Sequence, residues 1–310
     1  MSTAKQRLSA RFTALWKAAV YPIFGRLAVW LLKAIRRTNP DRIADFSAAF
    51  LRRVGPLFPE HRTGRANLAA AFPGKTPIEI EEILRGVWDN LGRVAAEYAH
   101  LDRLWDFDPT EPSSGRIIIS PESIQRFVQL RDDGKPAIIF TAHLANWELP
   151  ALAAAAYGLE SAVLYRAPSI GAIDAQVREI RSVNMGQLIP TSRAAPFVMA
   201  AALERGVHVG MLVDQFFDRG IEVEFFGRRC KTNPIIARLA RRFDCPVHGT
   251  RAIRLPGHRF RLELTEAIQP KRDSTGKIDV QATMQLITTI VEGWIRECPE
   301  QWLWLHRRWR

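Results

Sequence analysis

The 310-residue chain predicts an α/β fold: a mixed, largely parallel central sheet flanked by helices, with an N-terminal membrane-associating helical region. Three observations predict it. Beyond Arg116, short apolar runs alternate with segments of helical period, the pattern of a largely parallel sheet covered on both faces. Before Gly115 the periodicity is helical. In Phe24–Arg37, Arg26, Lys33 and Arg37 share a narrow strip of the helical wheel, Trp30 flanks it, and Leu27, Leu31, Leu32 and Ile35 fill the remainder. Such a strip beside a wide apolar face describes an interfacial helix or a marginal anchor. A core helix packed on the domain is the alternative.

Taken in order, residues 1–37 show no small-residue cleavage site, and Pro22, Arg26 and Lys33 interrupt the apolar stretch that a spanning helix needs. Residues 38–115 read as a helical portion with helices over Asp41–Val54 and Pro77–Tyr98 around a loop, Pro59–Lys75. Thr76, Pro77 and Glu79 supply an N-cap, a proline at the first helical position and an acidic first turn. Leu101–Gly115, rich in proline and acid, links to an α/β portion over 116–310. There the strands are Ile117–Ser120, Ala137–Ala142, Ser161–Tyr165, Gln187–Pro190 and Val207–Val213, then an edge strand at Val223–Phe226 and a pair at Val247–Ile253 and Phe260–Leu264. Helices are expected over Pro121–Asp132, Leu149–Tyr157, Ile173–Val183, Ala195–Arg205, Asn233–Phe243 and Val280–Glu297.

The formal net charge of +12, carried mostly by arginine, suits anionic partners: nucleic acid, an acidic membrane surface or an acidic carrier protein. An arginine-rich codon bias would give the same balance. No nucleic-acid reading motif is present, which argues against that class. Cys230, Cys245 and Cys298 are scattered, so neither a disulfide framework nor a zinc site is expected.

The chemistry centres on Ala137–Pro150. An apolar strand stops at His143, Asn146 is placed to cap the following helix, and Glu148 lies across the turn, where a carboxylate could return to one imidazole nitrogen and leave the other as base. A second His-x4-acid pair, His258 and Glu263, falls in a hairpin and strand, where a separation of five sends the side chains to opposite faces. His143, Arg166 and Asp214 each follow a predicted strand, and ligands of open α/β sheets collect at strand carboxyl ends. A structural histidine, a salt-bridged Arg166 and a buried structural Asp214 are the alternatives. No G-x-S-x-G elbow or glycine-rich phosphate loop appears, so direct attack by an activated hydroxyl is the chemistry expected, without cofactor or metal. Backbone amides near Leu144–Asn146 are candidate oxyanion donors. Phe225 and Phe226 read as core, and the closing Trp302, Trp304, His306, Arg307, Arg308 and Trp309 suit either a membrane interface or a Trp-rich strand with a basic tail.

The ordered set His143-Leu144-Ala145-Asn146-Trp147-Glu148, Val163-Leu164-Tyr165-Arg166-Ala167-Pro168, Met211-Leu212-Val213-Asp214-Gln215, Val223-Glu224-Phe225-Phe226-Gly227 and Pro299-Glu300-Gln301-Trp302-Leu303-Trp304-Leu305-His306-Arg307-Arg308 resembles the bacterial lipid A late acyltransferases, of the lysophospholipid acyltransferase superfamily. Asn67–Pro73 resembles that family's N-terminal region, so the likeness spans nearly the whole chain. The resemblance implies the superfamily's fold and acyl transfer from acyl-acyl-carrier-protein, or acyl-CoA, to a hydroxyl of a glycolipid acceptor. It implies action at an anionic membrane surface, the cytoplasmic face of the inner membrane. On that resemblance His143 would be the base, Glu148 its partner and Arg166 a phosphate- or substrate-binding position. Read from its strand end, Asp214 positions the acceptor or pairs with Arg166, and Gln215 beside it is a further substrate-binding candidate. Acylation of another lipid head group, a mannoside or an aminolipid, is the alternative.

Overall fold

The computed structural model describes residues 25–27, 29–166, 175, 179–181 and 185–310. Seven strands form one sheet: β1 (Ile117–Ile119), β2 (Ile138–Thr141), β3 (Ser161–Tyr165), β4 (Gln187–Pro190), β5 (His208–Leu212), β8 (Val247–Leu255) and β9 (Arg259–Ala267), in the order β1-β9-β8-β2-β5-β3-β4. Strands β4, β3, β5, β2 and β8 run parallel, β9 turns back antiparallel to β8, and β1 pairs parallel to β9. The sheet is therefore mixed and largely parallel, flanked by helices, as the alternating pattern implied. The expected edge strand is half of a separate antiparallel hairpin, β6 (Ile221–Phe225) with β7 (Arg228–Thr232).

Helix α1 (Pro40–Val54) starts at an Asn39 cap and buries Ala44 and Ala48. Residues 59–71, read above as part of a loop, form helix α2 (Pro59–Ala71). Pro59 sits at its first position, where no amide partner is needed, and Gly64 lets it pack closely, since a Cβ there would meet Leu84 Cδ2 at 2.7 Å and push that buried side chain aside. The packing overrides the glycine's helix cost. Helix α3 (Pro77–Glu97) opens with a full capping box between Thr76 and Glu79, and Leu84, Val87 and Trp88 are buried along it.

Along the sheet follow α4 (Leu101–Leu104), α5 (Pro121–Asp132), α6 (Leu149–Ala156), α7 (Ala195–Glu204), α8 (Ile235–Phe243) and α9 (Val280–Glu297). Of the helix expected over Ile173–Val183, residues 175 and 179–181 are described and helical; the rest lies outside the described residues. One sheet face is closed by α9, whose Trp294 stacks on Phe140 of β2 with ring centroids 5.7 Å apart.

Residues 25–27 and 29–35 are helical; Phe24, the first residue of the expected interfacial helix, lies outside the described residues. Leu27, Trp30 and Leu31 are exposed, and Arg36 ties the segment to Asp102 by two hydrogen bonds. Among the described residues no helix is long and apolar enough to cross a membrane. At the other end, Trp302, Trp304 and Arg308 are almost wholly buried, which excludes a membrane-interface role for them. Phe225 and Phe226 pack into the same aromatic cluster.

Candidate active site

His143 lies two residues beyond β2, and Asp214 two beyond β5. The parallel register pairs Thr141 with Leu212, so the two residues emerge side by side at the sheet's carboxyl edge. There the imidazole Nδ1 sits 2.8 Å from Asp214 Oδ1, and the His143 backbone N–H donates to Oδ2 at 2.8 Å. Trp302 Nε1–H donates to the same Oδ2 at 2.7 Å. The Asp214 side chain is fully buried. Burial by itself would raise its carboxyl, but the His143 ring, with His306 and the His143 backbone N–H, outweighs it and holds the group well below the usual carboxylate range. An ionised Asp214 only accepts, so Nδ1 carries the proton and Nε2 keeps its lone pair. Gln215 Nε2 stands 3.3 Å from that nitrogen, and the Trp147 ring packs edge-on against the imidazole.

Glu148 does not return to the imidazole as the His-x4-Glu spacing suggested. It ion-pairs with Arg181, whose Nε and Nη2 donate to its two oxygens, the Nε contact at 3.1 Å. The short turn places Glu148 at the start of α6, facing the chain that follows β3, while the neighbouring strand delivers Asp214 to Nδ1 first. The Arg181 guanidinium lies between the Tyr98 and Tyr165 rings, 5.6 and 5.5 Å from their centroids. Burial, followed by the Glu148 charge, pushes the Tyr98 hydroxyl far above its ordinary value, keeping it neutral.

The loop carrying His143 is clamped from behind. Leu144 bridges Trp302, Leu303 N–H donates to His143 O, and Ala145 N–H donates to Gln301 O at 2.9 Å. Ala145 holds a left-handed backbone, φ 46°, which a non-glycine residue adopts only when its surroundings impose it. Leu144 N–H is likewise spent on Ala142 O, so these two amides, expected as oxyanion donors, are occupied. Asn146 accepts from the Glu148 N–H through Oδ1, beginning the turn, and donates through Nδ2 to the buried Glu97. Glu97 in turn holds Arg254 of β8 through both oxygens, and Arg254 also bonds Asn90 and Gln301. Sequence reasoning missed Trp302, Glu97 and Arg254. Their sequence separations of 88 and 157 residues from the groups they hold leave no local signal.

In front of His143 a cavity of about 1170 Å³ runs along the sheet under α5 and α6. Central parallel strands are ordinarily buried on both faces. Here Ile139 and Thr141 of β2, Val163 of β3, and Gly210 and Leu212 of β5 remain only half-buried because they floor this cavity. Ile124, Phe127, Val128, Ala151 and Ala154 roof it, and Leu262 and Leu264 of β9 close its side. Glu148, Arg166, Arg181 and Gln215 line it near His143. Arg166 is exposed immediately after β3, whereas Asp214 lies behind His143. The other His-x4-acid pair does not assemble: His258 faces Asp41 and Asp45, and Glu263 pairs with Arg251 and Arg261. Among the described residues no three His, Cys, Asp or Glu side chains gather as a metal site.

An imidazole fixed by a buried carboxylate, with its second nitrogen at the mouth of a long apolar cavity, can deprotonate a hydroxyl beside a hydrocarbon chain. Comparison with curated proteins finds no match. The family model for bacterial lipid A biosynthesis acyltransferases matches residues 10–310. The chain belongs to the bacterial lipid A biosynthesis acyltransferase family, and it is an acyltransferase.

Proposed function

We propose that this acyltransferase moves a fatty acyl chain from acyl-acyl-carrier-protein, or acyl-CoA, to a hydroxyl of a lipid A precursor, with His143 as the general base. The observation that carries this reading is the imidazole anchored through Nδ1 on Asp214, with Nε2 at the end of an apolar cavity. Nε2 takes the acceptor hydroxyl's proton as that oxygen attacks the thioester carbonyl. The tetrahedral adduct collapses, the C–S bond breaks, and the departing thiolate receives the proton from the imidazolium. An ester and a free thiol result. A positioned base contributes about 10²–10⁴-fold to such a step. Asp214 fixes the tautomer and stabilises the imidazolium, the role expected of Glu148 from spacing alone. Glu148 instead orders Arg181, which with Arg166 and Gln215 supplies donors for the acceptor's polar and anionic groups.

The acceptor is an amphiphile, so the reading includes docking at the cytoplasmic face of the inner membrane. Leu27, Trp30, Leu31, Phe46, Phe50, Leu57 and Phe58 are exposed apolar side chains of the helical portion, and the net charge of +12 favours an anionic surface.

Lipid profiling of a strain lacking the gene tests this directly. Lipid A should lose one secondary acyl chain, restored by the wild-type gene and not by His143→Ala. Unchanged lipid A, with a chain missing from a mannoside or an aminolipid, would overturn the acceptor assignment.

A further inference from the structure

Gly210 occupies the middle of β5, between β2 and β3 in the sheet. A glycine inside a central strand gives up packing and backbone entropy, and it ordinarily marks a place where something else must come close. Gly249 of β8 shows the usual cause: a Cβ there would meet Phe140 Cζ and Trp294 Cη2 at 2.8 Å. Gly210 has no such neighbour. A Cβ built on it would find only Val163 Cγ2, at 3.9 Å. Its register partners are Ile139 on one side and Val163 on the other, and all three line the cavity. Directly paired residues share a sheet face, so the missing side chain widens the cavity floor between two branched ones. Gly210 precedes Asp214 by four residues, which sets it about 13 Å from the level of the base at roughly 3.3 Å per residue. Phe127 and Ala154 of the roof share an apolar cluster with Ile139, the register partner of Gly210.

We propose that Gly210 keeps the cavity open to the transferred acyl chain at this depth and so sets the longest chain the enzyme accepts. The inference rests on the acyl-transfer reading above and adds the residue that determines specificity. A side chain at 210 closes the floor and stops long chains, while chains ending short of it reach His143 as before. No reacting group is touched, and alanine or valine suits a strand at least as well as glycine.

The test measures kcat/KM of wild type, Gly210→Ala and Gly210→Val on a graded series of saturated acyl thioesters, with the acceptor held constant. For the longest chain that wild type accepts well, Gly210→Val should lose about 10–200-fold, the cost of crowding a hydrocarbon pocket. Gly210→Ala should shift preference the same way by less, and short donors should react within a few-fold of wild type in both. An unchanged chain preference in a folded Gly210→Ala, or an equal loss at every length, would overturn the proposal. Calorimetric binding of saturated fatty acids of graded length gives a readout independent of turnover. If wild type transferred no acyl chain, the functional reading would fail, while undiminished long-chain binding by Gly210→Val would still refute the role of Gly210.

Discussion

Replacing Asp214 by asparagine changes one atom and tests which carboxylate serves the base. Asp214 accepts three hydrogen bonds: from His143 Nδ1, from the His143 backbone N–H and from Trp302 Nε1. An asparagine has one oxygen to offer. Turned so that this oxygen meets Nδ1–H, its NH2 faces the other two donors, and each buried donor left unpaired costs about 1–3 kcal/mol. Turned the other way, the oxygen serves both of those donors and the NH2 donates to Nδ1. Both of those donors are then paired and only one amide hydrogen is left over, so this rotamer wins by about 2–6 kcal/mol. It forces the imidazole proton onto Nε2 and removes the lone pair that takes the acceptor's proton. Asp214→Asn should therefore lose only about 1–3 kcal/mol of stability to that unpaired hydrogen, while kcat falls by about 10²–10⁴-fold, or about 2.7–5.4 kcal/mol of barrier. Initial rates of acyl transfer, read beside thermal melts, measure both. Asp214→Asn within a few-fold of wild type, with Glu148→Gln inactive, would show that Glu148 orients the base after all.

Trp302→Phe keeps the ring and deletes the Nε1–H bond to Asp214. A hydrogen bond to a charged group is worth about 1.5–3 kcal/mol, and kcat should fall about tenfold or more with KM little changed. A loss confined to thermal stability would make Trp302 purely structural. Glu97→Ala leaves Arg254 buried without its anion and should cost about 3–5 kcal/mol in urea unfolding, whereas replacing both by apolar residues of similar volume should recover much of it. Equal losses in the single and double variants would contradict the pairing. Burial holds His208, His248 and His306 below the ordinary histidine value. The unfolded chain therefore takes up their protons first, and stability present above about pH 6.5 is lost as the pH falls below it, by at most about 1.4 kcal/mol per pH unit for each histidine. Denaturant midpoints flat between about pH 7 and about pH 5.5 would refute that.

Much of the fold was legible because the helical and the α/β portions both keep local rules. Thr76, Pro77 and Glu79 announce α3, and the run Ala137–Ala142 announces β2. Residues 59–71 were misread for a local reason: Pro59, Gly64 and Pro73 all signal a break, and only the approach of α2 to Leu84 shows why a helix carries Gly64. The site was half legible in the same sense. His143, Arg166 and Asp214 could be placed at strand ends from periodicity, but chain order does not say that β2 and β5 are neighbours. That adjacency joins Asp214 to His143 and releases Glu148 to Arg181. Trp302 was visible as part of a motif, yet its role depends on a bond spanning 88 residues. Local pattern shows what each strand carries; sheet order decides which groups meet.

The central claim is that His143 drives acyl transfer to a lipid A precursor. Mass spectrometry of the products formed when purified protein meets acyl-acyl-carrier-protein and a lipid A precursor tests it most directly. An acceptor heavier by one acyl chain should form with wild type, at a rate reduced at least about 10²-fold by His143→Ala. An unmodified acceptor with wild type, or product formed equally fast by His143→Ala, would contradict it.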